Sequence, residues 1–282
     1  MIREIPAKAI FDTVCDLIRK ASFTPSPDIS AALSGAYREE KYAPARFALV
    51  QILENGRIAS GNSIPICQDT GMAVFFIELG QDVHITDGGF EESVREAVAR
   101  SYRELYLRKS VVADPLFHRV NTGDNTPPVI HTRIVPGSMV RILFIAKGFG
   151  SENMSRIAML PPAAGREGVL QTIVSAALEA GPNACPPMIL GVGIGGDFEQ
   201  AAVMAKRMTA RGVGTHHPQA EYAALEKEAM DAINASGIGP SGVGGKCTVL
   251  AVNIDTAPTH IASLPVAVNV CCHASRHAYA EL

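Results

Sequence analysis

The sequence predicts an α+β fold: a mixed β-sheet with surrounding helices, in a single domain with a mostly helical N-terminal region. Three observations carry this. Ile10, Val14, Leu17 and Ile18, then Phe47, Val50 and Leu53, recur at helical spacing through the first 60 or so residues. Later segments such as "MAVFFIELG" are short and rich in β-branched and aromatic residues, as strands are. Helices and strands then alternate without a strict βαβ repeat. No Ser, Gly or Pro-rich linker and no solenoid-like period divides the chain, so one domain spanning 1–282 is the simpler expectation.

The elements follow in order. Pro44 suits the first turn of the second N-terminal helix, because its missing N–H has no partner to lose there. After a loop around Cys67, "MAVFFIELG" is a strand. "TDGGFEESVREAVARSYRELYLRKS" offers Thr86 or Asp87 as N-cap and an amphipathic helix ending near Arg108. "PPVIHTRIVPGSMVRILFIAKG" reads as two strands around a Pro-Gly turn, a hairpin, and closes on the loop "KGFGSENMS". Helices are expected at about 165–180, 197–209 and 218–235, with strands at about 188–192, 247–254 and 265–271.

At 282 residues the chain can bury a substantial core. A net charge of −3 gives no general attraction to nucleic acid or to acidic membranes, and a small polar ligand fits better. The opening "MIREIPAKAIFDTVCDLIRK" mixes charge into its apolar residues, unlike a signal peptide or a spanning helix, and the apolar "MVRILFIAKG" is short and carries Arg141. A soluble cytoplasmic protein is expected. Six scattered cysteines, at 15, 67, 185, 247, 271 and 272, do not form a secreted disulfide framework; reduced thiols or metal ligands suit them better.

"GVGIGG" places Gly191, Gly193 and Gly196 in a GxGxxG pattern ahead of a helix, which raises a nucleotide-dependent oxidoreductase as an alternative function. No acidic strand end follows at the distance a ribose partner needs, so close backbone packing around another ligand is the better use. "PSGVGGKCTVLAV" repeats the glycine theme, but Lys246 lacks the GxxxxGK[ST] frame. Adjacent His216 and His217 do not share a face, which leaves them capping or surface roles.

The cysteines are more informative. Cys15, in an amphipathic helix, and Cys247, at a strand start, read as packed thiols. Cys67, Cys185 and Cys272 sit in "PICQDTG", "GPNACPP" and "NVCCHASR", each beside a turn or strand end. Three such thiolates are a known way to hold an iron–sulfur cluster whose fourth iron stays open, whereas zinc favours closely spaced ligand pairs that are missing here. Cys271 and Cys272 cannot both coordinate from an extended segment: one coordinates and the other packs.

"CQDTG", "LRKS…NTGDNTP", "KGFGSENMS", "CPP…GVGIGG" and "HIASLPVAVNVCCHASR" together resemble the class I, iron–sulfur-dependent fumarate hydratases and the related L(+)-tartrate dehydratases, over roughly residues 45–277. The resemblance implies a hydro-lyase acting on a short dicarboxylate, fumarate to malate or tartrate to oxaloacetate. It implies a [4Fe-4S] cluster on Cys67, Cys185 and Cys272, with "CHASR" selecting Cys272 over Cys271. It further implies that this chain matches the α subunit, working with a separate β subunit in an α2β2 heterotetramer.

The open iron would act as a Lewis acid on the substrate. Asp69 would handle protons and Gln68 would hydrogen-bond substrate. Arg108 resembles the family arginine that grips a carboxylate, and Gly148, Gly150 and Ser151 would turn backbone N–H groups to an anion. Phe149 stands where many relatives have glycine. His260 matches a family histidine and would share in proton transfer. A non-catalytic assembly subunit is the remaining alternative.

Overall fold

The computed structural model describes residues 2–282, and its contacts divide the chain into two compact units, each assembled from separate stretches of sequence. Residues 1–26, 56–148 and 276–282 form the first, and residues 27–55 and 149–275 the second. Helices and mixed sheets make up both, in keeping with the α+β class, and the N-terminal region is helical: α1 (Ala7–Phe23), α2 (Pro27–Glu39) and α3 (Ala43–Asn62). Among the described residues no helix is long and apolar enough to cross a membrane.

The first unit opens with β1 (Arg3–Pro6) and α1, then contains β2 (Met72–Gly80), β3 (Val83–Thr86), α4 (Phe90–Glu104), β4 (Val129–Val135) and β5 (Val140–Lys147). Its main sheet has the order β10-β5-β2-β4, where β10 is His277–Glu281. Helices α1 and α4 lie on this sheet. Ile10, Val14, Leu17 and Ile18 of α1 and Val94, Ala97 and Val98 of α4 meet Phe75, Ile77, Ile142 and Phe144, all buried. Period 3.6 in the helices and period 2 in the strands bring these residues to one core.

The expected hairpin is not formed. β4 and β5 do not pair with each other; β2 lies between them, parallel to β4 and antiparallel to β5. β2 is the more apolar strand and takes the interior position, where both of its edges are hydrogen-bonded. The Pro-Gly turn therefore passes over the end of β2. A Cβ on Gly80 would lie 2.5 Å from the Gly137 carbonyl oxygen, so glycine is required for that crossing.

Helix α4 begins later and ends earlier than the sequence suggests. Its N-cap is Gly89 without a side-chain hydrogen bond, in place of Thr86 or Asp87. It stops at Glu104, and Tyr106, with φ +54°, turns the chain out of the helix before Arg108.

In the second unit a sheet of order β6-β9-β7-β8 is built from β6 (Arg156–Leu160), β7 (Met188–Gly195), β8 (Val249–Ala257) and β9 (Leu264–Cys271). The helices are α5 (Phe149–Glu152), α6 (Gly165–Ala180), α7 (Phe198–Met208) and α8 (Ala220–Asn234). The central strand β7 is buried along its whole length, and its alternation assigns the layers. Met188, Leu190, Val192 and Ile194 face α6 and α8. Ile189 meets Ile29, Leu33 and Leu49 of α2 and α3. In α3, Ala45, Leu49, Gly56 and Ala59 are buried, while the anticipated Phe47 is 67% exposed.

Candidate active site

Gly191 and Gly193 are inside β7, and α7 packs against them so closely that a Cβ would lie 1.9 Å from the Ala205 oxygen at the first and 2.1 Å from the Ala201 oxygen at the second. The glycines therefore admit a helix of the chain itself, not a ligand. The Asp197 carboxylate accepts the Gln200 N–H (2.8 Å) at the N-terminus of α7, placing negative charge where a phosphate would need positive potential. The nucleotide reading of this motif has no support in the geometry.

The motif residues of the first unit do converge. Cys67, Gln68 and Asp69 lie in the bend between α3 and β2, where Cys67 Sγ donates to Gln68 Oε1 (3.4 Å). The Gly71 N–H donates to Asp69 Oδ1 (3.0 Å), closing a small turn that presents the half-buried carboxylate. Gly71 has φ +81°, and its Cα abuts the Ala146–Lys147 backbone, so a side chain there is excluded on both counts. Thr70 Oγ1 donates to the Arg108 carbonyl (2.9 Å), which ties the exposed Arg108 beside the Cys67 loop.

Buried groups missed by sequence reasoning hold this arrangement. Asn125, fully buried with φ +64°, donates to the Gly71 carbonyl (3.2 Å) and accepts from the Ser110 (2.7 Å) and Val111 (3.3 Å) N–H groups. Tyr102 Oη donates to the same Gly71 oxygen (2.9 Å). Burial pushes the Tyr102 phenol well above its usual range; the Arg276 charge opposes this and that of Asp69 adds to it. "LRKS", "NTGDNTP" and "CQDTG" are thereby joined in one place.

Arg276, 4% exposed, donates from Nη1 to the Asp69 carbonyl oxygen, and its Nε is buried with no hydrogen-bond partner. The position a Cβ would take on Gly148 is 3.1 Å from Arg276 Nη2 and 3.3 Å from Asp69 Oδ2, so Gly148 leaves the room between that cation and that carboxylate. Lys147, 1% exposed at the end of a strand whose only other charged residue is Arg141, is a further buried polar group here. Its position after "RILFIA" is the one sequence signal that could have singled it out.

Gly150 and Ser151 fall in the second unit, in the four-residue helix α5 that Phe149 opens. Ser151 is buried, and a Cβ on Gly150 would meet nothing within 4 Å. The expected open loop is thus a helical turn.

Cys185 and the residues after Cys272 are brought together within the second unit. His273 donates its N–H to the Cys185 carbonyl (3.3 Å), and its ring Nδ1 lies 2.9 Å from the same oxygen. Cys185 is exposed and left-handed (φ +52°, ψ +65°), a strained conformation for a residue with a Cβ. Cys271 packs in the core with Ile29 and Ala251, leaving Cys272 beyond the strand end. His260 lies exposed before β9, with its Nδ1 accepting the Ala262 N–H (3.2 Å). The eight residues of β9 separate it from Cys272, about 26 Å of extended chain.

The donor chemistry sorts the six thiols, none of which forms a disulfide. Burial pushes the Cys15 thiol up, and burial with the charges of Glu40 and Glu39 pushes Cys247 up to about 12. These two, with the core-packed Cys271, are poor thiolate donors. Cys67, Cys185 and Cys272, in bends or beyond a strand end, suit a cluster's thiolate ligands. Cys67 belongs to one unit and the other two to the second; among the described residues no three His, Cys, Asp or Glu side chains are gathered as a metal-holding group.

Fold and motifs together define a class. A family model described as Fumarate hydratase (Fumerase) matches residues 11–281, and the chain belongs to this family. Over 274 residues, 95% of this chain and 96% of the relative, it is 37% identical to a provisionally named L(+)-tartrate dehydratase subunit alpha of Methanocaldococcus jannaschii. It is 35% identical over 216 residues to the L(+)-tartrate dehydratase subunit alpha of an Escherichia coli strain, covering 75% of this chain and 70% of that one. The protein of the same name from Shigella boydii is 34% identical over the same span.

Proposed function

We propose that this chain is the α subunit of a cytoplasmic hydro-lyase that adds or removes water on a short dicarboxylate, with a [4Fe-4S] cluster on Cys67, Cys185 and Cys272. A separate β subunit completes it, in an α2β2 assembly. Family membership and the names of the relatives support the reaction class and the division into subunits. The observation that carries the reading is the convergence of Asp69, Arg108, Gly148 and Arg276 on the Cys67 loop.

When bound, the cluster supplies Lewis acidity towards a substrate hydroxyl. The rest falls to side chains. Arg108, exposed and held at its own carbonyl by Thr70, grips one substrate carboxylate with a planar fork that lysine does not reproduce. Asp69 Oδ2 holds the proton exchanged at the neighbouring carbon, while Oδ1 is committed to the Gly71 N–H. Arg276 fixes the Asp69 backbone, so the carboxylate is aimed before substrate arrives. Gln68, now turned to Cys67, can rotate to the substrate, and the N–H groups of Gly148, Gly150 and Ser151 serve its second carboxylate. His260, exposed before β9, is the second group that shares in proton transfer.

The test is to co-express the chain with its β subunit, purify the pair without oxygen and follow fumarate hydration and L(+)-tartrate dehydration. Turnover of either diacid supports the reading. A cluster-loaded pair inert towards every short hydroxy-diacid would leave an assembly role.

A further inference from the structure

The glycine-rich segment "GIGPSGVGGK" is not explained by any role given so far. Gly237, Gly239, Gly242, Gly244 and Gly245 all have positive φ, between 71° and 113°, so the segment folds into a tight knot. A Cβ on Gly239 would lie 1.8 Å from the Gly244 oxygen, and the Gly244 N–H donates to the Ile238 carbonyl (2.9 Å). The knot leans on the Cys185 turn from both sides: the Ser241 N–H donates to the Pro186 carbonyl (2.8 Å), and a Cβ on Gly242 would lie 2.5 Å from Pro182 Cβ. Cys185, between those two prolines, has its own N–H on the Pro182 carbonyl (3.2 Å).

At its far end the knot is tied to Glu40, a carboxylate only 3% exposed just after α2. Glu40 Oε2 accepts the Lys246 N–H (2.7 Å), and Oε1 accepts those of Lys41 and Tyr42 (2.9 Å each). A Cβ on Gly245 would lie 2.7 Å from Glu40 Oε2, so the backbone approaches because glycine permits it. Burial alone would raise the Glu40 pKa; the three backbone donors outweigh it and hold the carboxyl below its ordinary value.

We propose that Glu40 is a positioning residue for Cys185: it anchors the 237–246 knot, which in turn holds the Cys185 turn in its left-handed conformation. The inference rests on the assignment of Cys185 as a cluster ligand only for its consequence, not for its geometry.

The experiment uses the full chain, as the iron-free form and as the anaerobic complex with its β subunit, in wild type, Glu40→Gln, Glu40→Ala and Gly242→Ala. Iodoacetamide labelling of iron-free protein, read by peptide mass, compares Cys185 with Cys67 in the same sample. The Cys185 rate is expected to change at least threefold in Glu40→Ala and Gly242→Ala while the Cys67 rate holds. Glu40→Gln, which keeps one acceptor, should be intermediate. Iron retained by the complex after desalting should fall at least twofold in the same order. If Glu40→Ala fails to fold, the Gln and Gly242 variants decide. Unchanged Cys185 labelling in all folded variants overturns the proposal. Wild type that takes up no iron would overturn the cluster assignment instead, with the labelling still deciding the role of Glu40.

Discussion

Thr70 and Arg108, 38 residues apart in sequence, are joined by a hydrogen bond from the Thr70 hydroxyl to the Arg108 carbonyl at 2.9 Å. The bond leaves the guanidinium untouched, so it sets where Arg108 stands without consuming its charge. Arg108→Lys and Arg108→Ala are therefore expected to act on substrate binding, raising KM about tenfold to a hundredfold, with the alanine variant the worse. Steady-state kinetics of the αβ pair check this; an unchanged KM would remove Arg108 from the site.

Asn125→Ala should destabilise the first unit. It strips the Ser110 and Val111 N–H groups of their acceptor and takes one of two donors from the Gly71 carbonyl. A loss of about 2–4 kcal/mol is expected, measured by denaturant unfolding against wild type.

Glycines of similar appearance should behave in opposite ways. Gly191→Ala forces a Cβ to within 1.9 Å of the Ala205 oxygen and is expected to abolish soluble folded protein or lower stability by more than about 3 kcal/mol. Gly150→Ala meets nothing within 4 Å and lies in a helical turn, so its thermal midpoint should match wild type or rise slightly.

These contrasts show what the sequence could convey. Periodicity located α1, α6, α7 and α8 and the strands β7, β8 and β9 of the second sheet, because each signal lies within its own segment. Strand partners are set by distant residues, so the insertion of β2 between β4 and β5 was invisible, and a Pro-Gly pair invited the wrong hairpin. The short strands β1, β3, β6 and β10, with four or five residues each, carry too little pattern to register. For the site, Asp69, Arg108 and the cysteines stand in polar, loop-like motifs that can be read. Asn125, Tyr102, Lys147 and Arg276 act from buried positions, and their role exists only once the chain has folded.

Alkaline pH offers a separate check. The Cys247 thiol is moved from an ordinary 9.0 to about 12 in the folded chain. Between those values the unfolded chain loses a proton that the folded chain keeps, so the unfolded state binds fewer protons and stability falls as pH rises. The full effect of a three-unit separation is about 4 kcal/mol. Unfolding curves from pH 8 to 11 should show the decline, and Cys247→Ala should flatten it. Below about pH 8, where the thiol is protonated in both states, the two proteins should show no difference in slope from it.

Iron content across the cysteine series, in pairs of α and β prepared without oxygen, tests the central claim most directly. The account predicts about four irons per α chain in wild type and in Cys15→Ser. It predicts loss of iron, together with loss of diacid turnover, in each of Cys67→Ser, Cys185→Ser and Cys272→Ser. Full iron in any one of those three variants, or full diacid turnover by iron-free wild type, would contradict it.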